Sequence, residues 1–226
     1  MFKQLVVALG VTLAALPLLL ITLTGLSPAS KPLILERNPQ QDLEAANQYL
    51  VQGLAKWHLQ QYSLALQDFS FAANLGASDA KVYQHYVQGW LTENQVKHEP
   101  TLPREIWASK GCLQQVLLVS TELESLVQAS RFMQLFQSDK RLTSLPICIA
   151  PQIVFAPDLL PCLNENQQSR ISCDIKPLAP KLENKQFTHL VVFAKQGKAY
   201  VHNGIMYLDQ QDTYDVFVHE LAHFAG

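Results

Sequence analysis

Charged residues are scarce in this sequence, and its basic residues do not cluster. Only 16% of the 226 residues are charged, and 17 Lys and Arg against 19 Asp and Glu leave a formal net charge of -2. A protein that binds nucleic acid normally needs a clustered basic patch to neutralise phosphates. The sequence therefore predicts no nucleic-acid partner, while 48% apolar residues are enough to bury a core.

Cysteine pairs of the CxxC type are absent, which argues against a cysteine zinc site or a redox motif. The four cysteines are Cys112, Cys148, Cys162 and Cys173. Four cysteines allow three pairings, and buried free thiols are a further alternative. We favour Cys112 with Cys148 and Cys162 with Cys173, because these pairs close the shortest independent loops. An even number of cysteines, all beyond the N-terminal hydrophobic run, is typical of an exported protein.

A run of 22 residues without charge extends from Leu5 to Leu26 and follows a single basic residue, Lys3. A spanning helix needs about 20 apolar residues, whereas the apolar part of a signal peptide has about 7 to 15. We therefore predict that residues 1–30 form a membrane anchor. The small residues Ser27-Pro28-Ala29 offer a cleavage site, so a secreted protein is the alternative. Both alternatives place the remainder on the exported side, in the periplasm or outside the cell.

Helical periodicity begins after a proline-containing linker. Between Asp42 and Gly76 the apolar residues recur at intervals of three and four, which predicts a helix pair within residues 40–98. Small residues at Gly53, Ala65 and Ala72 would allow the two helices to approach closely.

Small and aromatic residues are spaced regularly along this helix pair. They are Gly53, Trp57, Tyr62, Ala65, Leu66, Phe69, Ala72 and Leu75. This pattern resembles a tetratricopeptide repeat, although Ala77 replaces the closing proline and only a partial second copy follows. The resemblance implies a docking surface for a peptide or a partner protein, and a lone repeat must pack on something else. An ordinary helical hairpin is the alternative.

Residues 99–145 are predicted to form a helical connector. Two prolines between Glu99 and Arg104 interrupt the pattern, and Leu113 to Phe136 is predicted to be one long amphipathic helix that covers a sheet or the repeat. The following stretch to Pro180 is rich in proline and loops, with one short strand expected at Ile153 to Ala156.

The pattern changes to period two after Glu183. Strands are predicted at His189 to Ala194, Ala199 to His202 and Ile205 to Asp209. Asn203-Gly204 lies between the last two strands and is a strong signal for a two-residue hairpin turn. We expect these strands to form a β-meander.

Two histidines and a glutamate lie on a predicted helix at the end of the sequence. His219 and His223 are one helical turn apart, with about 5 to 6 Å between their Cβ atoms, so both imidazoles can reach one ion. Glu220 lies beside that ion without ligating it and can take a proton from zinc-bound water. Asp212 is predicted to be the N-cap of this helix.

The residues His219-Glu220-Leu221-Ala222-His223 form an HExxH motif, and the segment resembles the zincin metallopeptidases. The resemblance implies that His219 and His223 bind zinc and that Glu220 is the catalytic base for hydrolysis of a peptide bond. It also implies that residues 146–226 are the N-terminal part of a zincin-like catalytic domain. In such a domain the strand Ile205 to Leu208 would run along the substrate cleft.

A catalytic zinc ion takes three protein ligands, and this motif supplies two. Zincins take the third ligand from a His or Glu that follows the motif, and the sequence printed here ends at Gly226, so we expect a truncated chain. His189, His202 and Asp209 are candidates from the strands, although an exposed strand residue is the favoured interpretation of each. His58, His85 and His98 are predicted to be surface residues.

The sequence as a whole predicts an exported α+β protein that is a zinc-dependent metallopeptidase. Its partners would be a peptide or protein substrate, a protein bound through the repeat, and the membrane. The alternative is a membrane-anchored repeat scaffold that binds a partner protein and carries an inactive zincin-like segment.

Overall fold

The computed structural model describes residues 38–96, 111–163, 169–183 and 186–225. The predicted anchor at residues 1–30 and His98 lie outside these ranges. No helix within these ranges combines the length and the apolar character needed to cross a membrane.

The first three helices form the region that resembles a repeat. They are α1 (Pro39–His58), α2 (Tyr62–Asn74) and α3 (Ser78–Val96). The Asn38 side chain caps α1 by accepting a hydrogen bond from the Gln40 backbone at 3.1 Å. A Cβ atom at Gly53 would lie 2.6 Å from Cε1 of the fully buried Phe69, so the first two helices touch at this point. The predicted helix pair and the role of Gly53 are confirmed.

The rest of the described chain mixes strands and helices. The elements are β1 (Gln114–Ser120), α4 (Ser125–Ser138), β2 (Ile147–Ile149), β3 (Ile153–Val154), β4 (Cys162–Leu163), β5 (Ser172–Cys173), α5 (Ala179–Leu182), β6 (His189–Ala194), β7 (Tyr200–His202), β8 (Ile205–Asp209) and α6 (Tyr214–Ala225). The predicted α+β class is confirmed, and the predicted short strand after Gln152 is present as β3.

The main sheet has the strand order β2-β1-β6-β8-β7, and β3 also pairs with β1. Strands β1, β6 and β8 are parallel to one another, whereas β7 is antiparallel to β8. The three predicted strands are therefore confirmed, but the predicted meander is wrong because β8 lies between β6 and β7. The hairpin turn is confirmed, since Asn203 and Gly204 have positive φ angles of 51° and 75°.

The predicted helix from Leu113 to Phe136 is wrong in its first part. Residues Gln114–Ser120 form β1, and the helix begins only at Ser125. A parallel strand that is buried on both faces has a continuous apolar run, here 116–119, and periodicity does not distinguish such a run from a buried helix. Residues 99–145 are consequently not a purely helical connector, because they supply an interior strand of the sheet.

Both faces of the sheet are covered. On one face α4 and α6 pack against the strands through Ala129, Phe132, Phe136, Phe217, Leu221 and Phe224. On the other face the chain between β2 and β6 contributes Ala150, Ile153, Phe155, Leu160, Ile171, Leu178 and Leu182. The strands of the interior thus separate two apolar clusters.

The structure contains both of the favoured cysteine pairings. Cys112 is bonded to Cys148 with 5.6 Å between the Cα atoms. This bond links the segment just before β1 to strand β2. Cys162 is bonded to Cys173 directly across the β4–β5 pair. All four cysteines lie in the described ranges, and none is a free thiol.

The helices of the repeat-like region pack on the edge of the sheet. Phe69 and Tyr83 share an apolar cluster with Leu123 and Val154. The Tyr86 hydroxyl accepts a hydrogen bond from the Val154 N–H at 2.9 Å and donates to the Val154 carbonyl at 3.4 Å. These three helices therefore bury their apolar face against β3 and the start of α4.

We expect Gly53→Ala to destabilise the protein by about 1–3 kcal/mol, because the added methyl group overlaps the ring of Phe69. Gly89→Ala is the matched control, since Gly89 lies in α3 with no atom within 4 Å of an added Cβ. This second change should stabilise the protein by about 0.5–1 kcal/mol. Denaturant unfolding of both variants measures the effect, and equal shifts of the same sign would contradict the close contact.

Candidate metal centre

Helix α6 has one buried apolar face and one exposed face, and the histidines of the motif lie on the exposed face. Phe217, Leu221 and Phe224 are buried against the sheet, whereas His219 and His223 are exposed. The three buried side chains recur at intervals of four and three, which is the spacing of one helix face. Burial of each contributes roughly 1.5–3 kcal/mol. This apolar face fixes the rotation of the helix, so the two histidines project away from the core.

The N-terminus of α6 is capped one residue later than predicted. The Thr213 carbonyl accepts from Phe217 N at 3.1 Å, and its Oγ1 lies 3.5 Å from Val216 N. Thr213 is therefore the cap. The Asp212 carboxylate instead accepts from Asp209 N at 2.7 Å, at the end of β8.

Gln128 of α4 holds the turn that precedes the helix. Its Nε2 donates to the carbonyl oxygens of Asp209 and Asp212, both at 2.8 Å. These bonds link three elements, because β8 ends at Asp209 and α6 begins at Tyr214. The helix that carries the motif is thus fixed at its start by side-chain hydrogen bonds as well as by apolar packing.

Asp209 is buried, with 5% of its surface exposed, and is not the exposed strand residue that we predicted. Its Oδ2 accepts from Gly197 N at 3.2 Å, and its Oδ1 accepts from Gln211 N at 2.7 Å and Asp212 N at 3.0 Å. A carboxylate needs such donors when it leaves water. The carboxylate of Asp209 therefore stabilises the turn between β8 and α6.

The two histidines of the motif lie close together. Their ring centroids are 5.3 Å apart and the ring planes are nearly perpendicular, at 86°. Both rings are exposed. This arrangement allows both imidazoles to reach one ion on the outer face of the helix.

A third ligand is not brought to these histidines by the part of the chain that the structure describes. No further His, Cys, Asp or Glu there forms a group of three with them in which all ligand atoms lie within 4.8 Å of one another. His202 is exposed on β7. His189 is half-buried, and its ring packs on that of Phe224 with 4.3 Å between centroids. Burial lowers the pKa of His189.

Glu220 has a different environment from the histidines on either side of it. Only 9% of its surface is exposed, and its carboxylate has no hydrogen-bond partner among the described residues. It lines a cavity of about 620 Å³ together with His219. Neither oxygen of this carboxylate is among the buried side-chain atoms that lack a partner, so both face the cavity, where water or a ligand can reach them.

Three aspartates share the cavity with Glu220. They are Asp209, Asp212 and Asp215. Burial, with a smaller contribution from the negative charges of Asp209 and Glu220, raises the pKa of Asp212 to about 6, against the lowering effect of the hydrogen bond from Asp209 N. We did not predict this acidic cavity from the sequence, because its walls come from separate elements.

A second group of possible ligands lies between the repeat-like helices and the loop after β1. Ligand atoms of His58, Glu122 and Glu124 lie within 4.8 Å of one another. His58 Nε2 is 2.9 Å from Glu124 Oε1, a contact that an ion pair explains without a metal. His58 was predicted to be a surface residue, and it is exposed. No local pattern in the sequence predicts this group, because 66 positions separate His58 from Glu124.

Comparisons with protein-family models, with curated proteins and with solved structures found no match to this chain. The interpretation of the candidate metal centre accordingly rests on its own residues and on their geometry.

We expect Asp212→Asn to change how stability depends on pH. The raised pKa means that the folded chain holds this proton more tightly than the unfolded chain, whose pKa is near 3.8. The stability that Asp212 contributes is therefore fully present below about pH 4 and is lost as the pH rises through about 6. Asparagine keeps the acceptor for Asp209 N–H and does not ionise.

The measurement is thermal unfolding of metal-free wild type and Asp212→Asn between about pH 4 and about pH 7. The midpoint of the variant should rise relative to wild type across this interval. A difference that stays constant with pH would contradict the raised pKa.

Proposed function

We propose that this chain belongs to a zinc-dependent metallopeptidase that hydrolyses peptide bonds on the exported side of a membrane. The observation that carries the proposal is the arrangement on α6: two exposed imidazoles, 5.3 Å apart, flank a buried carboxylate that has no hydrogen-bond partner among the described residues. A structural zinc site needs four ligands and no base, so the intervening glutamate favours a catalytic site.

The residues fit a zinc ion in part. His219 and His223 would hold it, and a third ligand is still required. When bound, zinc polarises the scissile carbonyl and makes a water molecule acidic enough to attack near neutral pH.

Glu220 would act as the general base. Its carboxylate takes a proton from the attacking water and then passes this proton to the leaving amine. Because Glu220 is buried and has no competing hydrogen bond, the carboxylate oxygens are available to that proton. The packing of Phe217 and Leu221 on the sheet keeps the carboxylate in place during the transfer.

The structure changes where a substrate would bind along the sheet. Strand β8 (Ile205–Asp209) is paired with β6 on one side and with β7 on the other, so it has no free edge. The expectation that Ile205 to Leu208 runs along the substrate cleft is therefore wrong. The outer edge of β7 carries no strand from the described part of the chain. An extended peptide would add to β7 at Tyr200–His202.

Export and membrane attachment belong to the same proposal. Two disulfide bonds are typical of proteins that fold in an oxidising compartment. The membrane would be reached through residues 1–30.

A membrane-anchored scaffold with an inactive zincin-like segment is the second candidate function. One observation favours it: the described residues bring no third ligand to the histidines. In this alternative the repeat binds a partner protein and no peptide bond is cleaved.

We expect Glu220→Gln to abolish peptide hydrolysis while zinc content remains near that of wild type. Removing a general base typically lowers the rate by about 100- to 10,000-fold. Zinc content is measured by metal analysis of the dialysed protein, and hydrolysis by mass spectrometry of a peptide mixture. Undiminished hydrolysis in the variant would refute the role of Glu220.

His219→Ala and His223→Ala should each remove the bound zinc. The matched controls are His85→Ala, which removes an exposed histidine of α3, and His58→Ala, which removes the histidine of the other possible ligand group. Zinc that survives loss of His219 and His223 but disappears with His58 would exclude the proposed centre. Zinc binding without hydrolysis would favour the scaffold.

A further inference from the structure

The cavity beside the motif has an uneven distribution of charge. Four carboxylates line it, from Asp209, Asp212, Asp215 and Glu220. The other ionisable groups in its wall are Lys198 and His219. Lys198 is exposed, so its long side chain can place the ammonium group in water. The N-terminus of α6 adds a partial positive charge of about half a unit. Negative charge therefore predominates in the cavity.

Three of the four carboxylates have acceptor capacity left for a ligand. The carboxylate oxygens of Asp209 already accept hydrogen bonds from three backbone N–H groups. The carboxylate of Asp212 accepts one hydrogen bond, through Oδ2. Asp215 is exposed at the mouth of the cavity. Glu220 is nine-tenths buried and has no partner within the described ranges. The cavity thus offers unused acceptors to a cation.

We propose that this cavity binds the cationic side chain of an arginine or lysine residue next to the scissile bond of the substrate. The position follows from the helix, because Asp215 lies one turn before His219 and Glu220 lies beside it. A peptide with its reacting carbonyl at the histidines would direct a neighbouring side chain toward Asp212 and Asp215. A guanidinium or ammonium group supplies only donors, which matches these acceptors. This inference rests on the proposed function for the identity of the ligand as a peptide.

Binding of a cationic probe tests the inference without requiring catalysis. We expect the zinc-treated chain to bind Nα-acetyl-arginine amide about tenfold more tightly than Nα-acetyl-citrulline amide, because the neutral analogue lacks the charge that strengthens these hydrogen bonds. Chemical-shift titration at low salt measures both dissociation constants. Equal binding of the two probes would overturn the inference.

Variants locate the binding site. Asp212→Asn combined with Asp215→Asn keeps the polar shape of the cavity and should weaken arginine binding about tenfold. Glu44→Gln combined with Asp158→Asn is the matched control, because these exposed residues lie outside the cavity and the net charge changes by the same amount. Equal weakening in the two double variants would show an effect of overall charge and would also overturn the inference.

The same probes separate this inference from the proposed function. If the protein hydrolyses peptides but cleaves them without preference for a flanking arginine or lysine, the inference fails and the proposed function stands. If the protein retains no zinc, the proposed function fails, and the arginine and citrulline titrations still decide whether the cavity binds a cation.

Discussion

The contact between the apolar side of α6 and the sheet determines where every polar group of the candidate metal centre lies. Phe217, Leu221 and Phe224 allow only one rotation of the helix, since any other would expose large apolar surfaces to water. In that rotation His219 and His223 must project outward. Glu220 falls between the two faces, which explains why it is buried while the two histidines are exposed.

The turn before the helix adds a second constraint of a different kind. Packing controls the rotation of α6, whereas hydrogen bonds from Gln128 to the Asp209 and Asp212 carbonyl oxygens control where it starts. Gln128 belongs to α4, whose N-terminal part also contacts the repeat-like helices. The helix that carries the motif is thus connected to α3 through α4.

Local patterns in the sequence predicted much of the fold and of the site. The α1–α2 pair, the Asn203-Gly204 hairpin and the spacing of His219 and His223 each depend on residues that are close in the chain. The order of the strands depends instead on residues that are far apart in the chain. Val116 of β1 pairs with His189 of β6, 73 positions later, and the Ser120 hydroxyl donates a hydrogen bond to the Phe193 carbonyl across the same separation. The burial of Glu220 and the acidic cavity follow from that order. Such features require contacts that no local pattern contains.

One strand at an edge of the main sheet is protected by a side chain of the repeat-like helices. The phenol of Tyr86 uses both main-chain groups of Val154, in the manner of a neighbouring strand. A second copy of the chain cannot pair with Val154 through main-chain hydrogen bonds unless this ring is displaced. The ring therefore shields β3 from edge-to-edge association, which is a hazard for sheets with open sides.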